Sequence, residues 1–284
     1  MAEKIIYIDG IEYYTLQEKP SASQHNANPP VLLCHALMSN LHMWDSTVKA
    51  LNRASYTTIR FDHLGHNKTL PPHNLKASFH MDDIARHMRQ LVVSVTGQPK
   101  VKAVIGCSIG GVLALRYAIL YPNDVENIIS IAAPGIAAPV KAHKLWSQRI
   151  MQFEKDVTDG SDVLCRQTVE RWFPGSRARD VDVRERALPL VKTCSLSGYR
   201  ILADTIRDYD YEADVGKVEA KTLIVAGSED GAASSDDLRG LSGKIAGAEY
   251  VCMDGAGHLP PMHMPEEFEE LMLRFLGNAG KERV

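Results

Sequence analysis

The 284-residue chain has no apolar run approaching the roughly 18 residues that cross a bilayer. Its first residues, Met1–Tyr7, place no apolar stretch behind a charged start, so neither a membrane span nor a secretory leader is expected. One-signed charge is also missing: 32 Lys and Arg stand against 35 Asp and Glu, spread without a basic block. Nucleic acid and anionic membranes are therefore not expected partners. The five cysteines (Cys34, Cys107, Cys165, Cys194, Cys252) are odd in number and lack CxxC spacing, which excludes an evident disulfide framework or zinc site. Cys34, Cys107 and Cys252 lie in or beside apolar runs, where cysteine behaves as a small hydrophobe, so a reduced, cytoplasmic protein is expected. Repeats and low-complexity segments are absent. What remains is 45% hydrophobic and 24% charged, an ordinary globular composition.

Apolar β-branched runs alternate with helical patterns. Ile5–Ile8, Asp9-Gly10 and Ile11–Tyr14 read as a hairpin, and Ser21–Pro30 as a surface loop. Val31–Cys34, Thr57–Phe61 and Ile128–Ala133 read as buried strands, and the apolar run from Val101 up to the Gly106 turn, Thr222–Ala226 and Glu249–Met253 as further strands. Helices are expected near Trp44–Leu51, Met81–Val95, from Gly110 to about Tyr121, near Leu238–Ile245 and over Glu266–Leu276. This rhythm predicts an α/β fold with a mostly parallel sheet. It is suspended between about Gly135 and Gly216, where helical patterns are broken by Gly160, Pro174-Gly175 and Gly198. The expected organisation is a core of residues 1–134 and 217–284, with a helical lid of residues 135–216 over the carboxyl edge of the sheet, where ligands of open α/β sheets bind.

At the end of one strand stands Gly106-Cys107-Ser108-Ile109-Gly110-Gly111, followed at once by a helical pattern. Strand, sharp turn and helix are the context in which Gly-x-Ser-x-Gly forms a nucleophile elbow, so Ser108 is the candidate nucleophile; a structural serine in a tight turn is the alternative. A serine hydroxyl needs a base, and that base an orienting group. Of eleven histidines, His258 lies in the glycine-rich loop after the last strand and is the candidate base, against a turn-capping role. His42, His63, His66, His73, His80, His87 and His263 are expected in solvated or hydrogen-bonded roles. Asp230, just after the strand Thr222–Ala226, is the candidate acid, with Glu229 next in line; the loop Pro134-Gly135-Ile136 offers no carboxylate. Oxyanion donors are expected from the amides of Ile109 and Leu37, with Ala36 as alternative, and His35 is expected to brace that loop. In the insertion, Trp146, Phe153, Trp172, Phe173 and Tyr199 are expected to form an apolar lid. Met38, Trp146, Trp172 and Tyr199 are the candidate pocket residues. Arg149 and Arg171 could clamp a carboxylate, but solvated surface arginines are the ordinary expectation.

Ser108, Asp230 and His258, in that order and each after its own strand, resemble the α/β-hydrolase superfamily. Leu41–Asp45, Glu170–Phe173, Gly198-Tyr199, Ile206–Asp210 and Thr222–Asp230 are similar to its enol-lactonase branch. The resemblance implies an α/β-hydrolase fold, hydrolysis of a small ester or lactone through an acyl-enzyme, and no metal or organic cofactor. Two departures stand out. His35-Ala36 replaces the usual His-Gly, with Met38 where glycine is usual, and Asp62–Asn67 lacks the usual Arg and second Gly. Carbon–carbon bond hydrolysis or another acyl transfer would use the same triad, and a non-catalytic small-molecule sensor could use the same fold. Haloalkane dehalogenation would need an aspartate where Ser108 stands.

Overall fold

A computed structural model describes residues 1–20, 29–71, 79–138 and 142–277. Residues 21–28 of the expected surface loop, and His73, lie outside them. Eight strands form one sheet: β1 (Ala2–Ile8), β2 (Ile11–Glu18), β3 (Val31–Cys34), β4 (Thr58–Phe61), β5 (Val101–Cys107), β6 (Val125–Ile131), β7 (Lys221–Gly227) and β8 (Glu249–Met253). Their order is β1-β2-β4-β3-β5-β6-β7-β8. Only β1/β2 and β2/β4 pair antiparallel; the other neighbours are parallel. Asp9 and Gly10 both take positive φ (49° and 85°), as a two-residue turn that follows the strand twist requires.

The chain winds outward from β3 to β4, then returns to the other side of β3 as β5. The reversal places the loops after β3 and β5 side by side, with Cys34 opposite Gly106. That is the crevice where open α/β sheets bind ligands. Every residue of β3 is buried, as the continuous apolar run predicts for a central parallel strand. Helix α1 (Asp45–Arg53) packs on β4, α2 (Met81–Thr96) on β1, and α3 (Ile109–Leu120) on β5, β6 and β3. Helix α3 is apolar except for Arg116, which reaches Asp82 and Asp214, because it packs between the sheet and α2.

Between β6 and β7 four helices replace the strand rhythm: α4 (Ala142–Asp159), α5 (Val163–Trp172), α6 (Ala178–Val191) and α7 (Leu196–Arg207). Helices α8 (Ser235–Ser242), α9 (Pro260–His263) and α10 (Pro265–Phe275) complete the chain. Three expectations are corrected. Strand β6 begins at Val125 and ends before Ala132, whose φ of 50° turns the chain out of the sheet. Helix α8 starts three residues earlier than Leu238, and α9 had no periodic signal because it is a single turn opened by two prolines. Gly198 does not break a helix; it lies in the first turn of α7, where its Cα meets Gly65 in the loop after β4. The two glycines let backbone touch backbone where the insertion joins the core.

A Cβ at Gly198 would overlap the backbone of Gly65, which cannot swing aside as a side chain would. Gly198→Ala is therefore expected to cost about 1–3 kcal/mol through overpacking. A denaturant midpoint identical to the parent protein would refute this account of the junction.

Candidate active site

Ser108 sits between β5 and α3 with φ 59° and ψ −120°, a conformation a non-glycine residue holds only when its surroundings impose it. Its N–H donates to Ile131 O at 2.8 Å, and its carbonyl accepts from Gly111 N at 2.9 Å. A Cβ at Gly106 would overlap the Gly110 carbonyl, and one at Gly110 the Cys34 carbonyl. The glycines thus let strand and helix close around the turn. Cys107 and Ile109 are fully buried, whereas Ser108 is partly exposed.

Asp230 follows β7. Its Oδ1 accepts from the amides of Ala232 (2.6 Å) and Ala233 (3.0 Å), which leaves Oδ2 to accept from His258 Nδ1 at 2.8 Å. Both side chains are nearly inaccessible. A carboxylate facing Nδ1 places the ring proton there and leaves Nε2 with its lone pair. Glu229, the runner-up, turns the other way and pairs with Arg177. The His258 backbone is also held: its N–H donates to Trp172 O at 2.7 Å, and its carbonyl accepts from Cys107 Sγ at 3.6 Å. The imidazole stacks on Trp172, with centroids 6.2 Å apart and planes inclined by 28°.

His263 lies in no solvated position. Its Nδ1 accepts from Gly257 N at 2.8 Å, and its Nε2 donates to Asp180 Oδ1 at 2.7 Å, with both side chains fully buried. Asp180, at the start of α6, also accepts from Arg177, and this bond holds its carboxyl well below the ordinary range, against its burial. The glycine loop carrying His258 is therefore tied to the insertion through Trp172 and through His263–Asp180. Nothing in sequence spacing announces the second tie, since 83 residues separate its members.

In the loop after β3, Ala36 N–H points to Met43 Sδ (3.4 Å) and Met38 N–H donates to His66 Nε2 (3.1 Å). No hydrogen bond engages the Leu37 amide among the described residues, and Ile109 N–H, at the first position of α3, has no intrahelical acceptor. Met38 takes φ 68°, standing in a conformation that favours glycine. Its buried side chain receives Thr168 Oγ1 at 3.4 Å and Arg149 Nη2 at 3.9 Å on sulfur. Of the other candidate pocket residues, Tyr199 is fully buried and accepts from Arg149 Nε at 3.0 Å, Trp172 backs His258, and Trp146 is partly buried beside Tyr199. Arg149 is itself buried, at 8% exposure, which corrects the expectation of a solvated arginine. Among the described residues no group of three His, Cys, Asp or Glu side chains is arranged to hold a metal ion.

The loop is braced by three buried imidazoles. His35 Nδ1 donates to Ala36 O (2.8 Å) and its Nε2 accepts from His63 N (2.8 Å). His63 Nε2 donates to His35 O (3.0 Å). His66 Nδ1 donates to Leu64 O (2.9 Å), and Cys194 Sγ lies 3.2 Å from its Nε2. Of the solvated or hydrogen-bonded roles expected for His63 and His66, both take the hydrogen-bonded one, and they are buried, because burial of a histidine is decided by tertiary packing. A second proton on His35 or His66 would confront an amide N–H. Burial, then the neighbouring rings, hold His35 well below its ordinary value; burial lowers His63 to about 3 and His66 to about 4.

A family model described as the alpha/beta hydrolase fold matches residues 29–263. The chain belongs to the α/β-hydrolase family. Within this family it resembles enol-lactonase-like esterases. It is 21% identical over 252 residues to 3-oxoadipate enol-lactonase 2 of Acinetobacter baylyi, covering 87% of this chain and 90% of that protein. It is 22% identical over 277 residues to monoacylglycerol lipase abhd6-A of Xenopus laevis, covering 93% and 79%. Among solved structures, the enol-lactonase from Burkholderia xenovorans LB400 aligns with a TM-score of 0.83 at 21% identity, over 96% of this α/β-hydrolase and 100% of that chain.

The imidazole cluster sets an acid limit on this α/β-hydrolase. Unfolding releases rings that then titrate near 6.5, so below that pH the unfolded chain binds more protons than the folded one. Stability is fully present above about pH 6.5. It falls as pH drops toward 4, at up to about 1.4 kcal/mol per pH unit for each ring. Chemical denaturation at pH 7, 6, 5 and 4 should show this slope, and His63→Asn should flatten it; an unchanged slope would sink the assignment.

Proposed function

We propose that this α/β-hydrolase is a serine hydrolase of small esters or lactones, with Ser108 as nucleophile, His258 as base and Asp230 as its orienting acid. The observation that supports the reading is the Asp230–His258 bond of 2.8 Å, with the thiol of Cys107, the residue before Ser108, 3.6 Å from the His258 carbonyl. It fixes the imidazole tautomer that can accept a proton on Nε2.

The reaction runs in two halves. His258 Nε2 takes the Ser108 proton as Oγ attacks the carbonyl carbon. Charge then builds on the carbonyl oxygen, to which the Leu37 and Ile109 amides donate. Leu37 is preferred over Ala36 because the Ala36 amide already faces Met43 sulfur. The tetrahedral adduct collapses, the C–O bond breaks, and His258 returns the proton to the leaving oxygen. In a lactone that oxygen stays attached to the acyl chain as its new hydroxyl. Water then attacks the acyl-enzyme, giving one proton to His258, which passes it to Ser108 Oγ as the acid departs. Asp230 keeps its charge throughout and stabilises the imidazolium. The helices α4–α7 serve as a lid that keeps bulk water from the acyl-enzyme.

Ser108→Ala is expected to lower kcat on p-nitrophenyl esters or γ-lactones by roughly 10⁴–10⁶-fold, leaving the residue supplied by binding and the oxyanion donors. Asp230→Asn should cost about 10⁴-fold by favouring the wrong tautomer. Fluorophosphonate should label the parent protein at Ser108 and leave Ser108→Ala unlabelled. Full turnover by Ser108→Ala on every substrate the parent accepts would overturn the mechanism.

A further inference from the structure

His263 ends α9, the single turn that follows the His258 loop, and its side chain is fully buried. Its Nδ1 accepts from Gly257 N, and its Nε2 donates to Asp180 Oδ1. Gly257 immediately precedes His258, whose own N–H goes to Trp172 O. Two consecutive amides of the glycine loop are thus held from outside it, one by Trp172 and one by His263. The loop has no slack here. A Cβ at Gly257 would overlap the Trp172 carbonyl, and one at Gly227 the carbonyls of Ala256 and Gly257. A displacement of the Gly257 amide is therefore taken up at His258.

The two bonds of His263 admit one protonation state of its ring. Gly257 N–H is a donor, so Nδ1 must keep its lone pair; Asp180 is an ionised acceptor, so Nε2 must carry the proton. Arg177 keeps Asp180 ionised, donating to it from its backbone N–H (2.8 Å), Nε (2.8 Å) and Nη2 (3.0 Å). The segment therefore holds two histidine–aspartate pairs wired in opposite senses. Asp230 places the proton of His258 on Nδ1, whereas Asp180 places that of His263 on Nε2. The first pair leaves Nε2 for proton transfer; the second leaves Nδ1 to hold the backbone that carries the first. The other groups around His263 are the Phe173 ring, edge-on at 5.3 Å, and the guanidinium groups of Arg177 and Arg179. Burial, joined by those two cations and opposed by Asp180, holds His263 below its ordinary value.

We propose that His263, oriented by Asp180, is a positioning residue for His258: it fixes the backbone that carries the imidazole, so that the docking of α6 sets the alignment of the base with Ser108. The proposal rests on Ser108 being the nucleophile. His263 exchanges no proton with the substrate. Its contribution is geometric, and a reacting group misplaced by about 1 Å loses on the order of 10²-fold in rate. Binding of the ester does not depend on that alignment, so turnover falls while KM stays.

The test uses p-nitrophenyl butyrate, with each variant assayed where circular dichroism shows the parent fold. His263→Gln can still donate to Asp180 but presents nothing to Gly257. His263→Asn presents an amide oxygen near the place of Nδ1 and has no tautomer to be set. His263→Gln should lower kcat by roughly 10–100-fold with KM within about two-fold, and slow fluorophosphonate labelling of Ser108 by a similar factor. His263→Asn should recover all but a few-fold of that loss. Asp180→Ala should lower kcat about ten-fold in the parent protein and scarcely at all on the His263→Asn background. The low-field proton NMR signal of the His258 Nδ1–H should move in His263→Gln and stay in His263→Asn. An unchanged kcat in His263→Gln, or equal losses in the Gln and Asn variants, overturns the positioning role while labelling of Ser108 stands. A parent protein inert to the ester and to fluorophosphonate, in which the His258 signal still moves in His263→Gln, keeps the His263 link and overturns the Ser108 reading instead.

Discussion

One backbone conformation governs this molecule: the positive φ at Ser108. It exists because β5 and α3 approach so closely that Gly106 and Gly110 meet carbonyl oxygens with no room for a Cβ. The strain of such a residue is of order 1–3 kcal/mol and persists only where the surroundings over-determine it. Here they do. The flanking residues are fully buried, both backbone groups of Ser108 are hydrogen-bonded, and the first turns of α3 are buried from Ile109 to Leu115. The same approach brings the carbonyl of Cys34 against the elbow, which seats the loop after β3 beside it.

Around that turn the buried polar groups divide into two kinds. The imidazoles of His35, His63 and His66 are matched donor to acceptor and stay neutral, so they build a rigid loop without introducing charge. Arg149 is charged and bonded to the neutral acceptors Tyr199 Oη and Thr168 Oγ1, and among the described residues the buried Nε of Arg171 has no hydrogen-bond partner. A low-dielectric interior amplifies the difference: satisfied groups rigidify, and an unsatisfied one is costly.

The strands were legible because central parallel strands are short, continuous β-branched runs; β3 and β8 have the bounds their apolar runs imply. The elbow was legible for another reason: its geometry demands small residues at fixed spacing, and that demand is written locally. Asp230 and Glu229 are adjacent, so only the turn after β7 separates the one that faces His258 from the one that faces Arg177. His263 and Asp180 carried no signal, since their pairing depends on where the insertion docks. Gly198 looked like a helix breaker because a close approach to Gly65, distant in sequence, cannot be seen along the chain. The burial of Arg149 was hidden likewise, as it follows from Tyr199 and Thr168 arriving on other helices.

The two ties between the glycine loop and the insertion, Trp172 to His258 and Asp180 to His263, bear on how such proteins diversify. An insertion between β6 and β7 looks like an exchangeable cassette that could be traded between relatives to change selectivity. In this chain a chimera carrying a foreign cassette would inherit an intact Ser108 turn and keep the imidazole loop anchored only if the cassette brings a carbonyl to the place of Trp172 O and a carboxylate to that of Asp180. Otherwise exchange succeeds only if the recipient's glycine loop travels with the donor helices, so the two segments form a single unit of inheritance despite lying far apart in the gene.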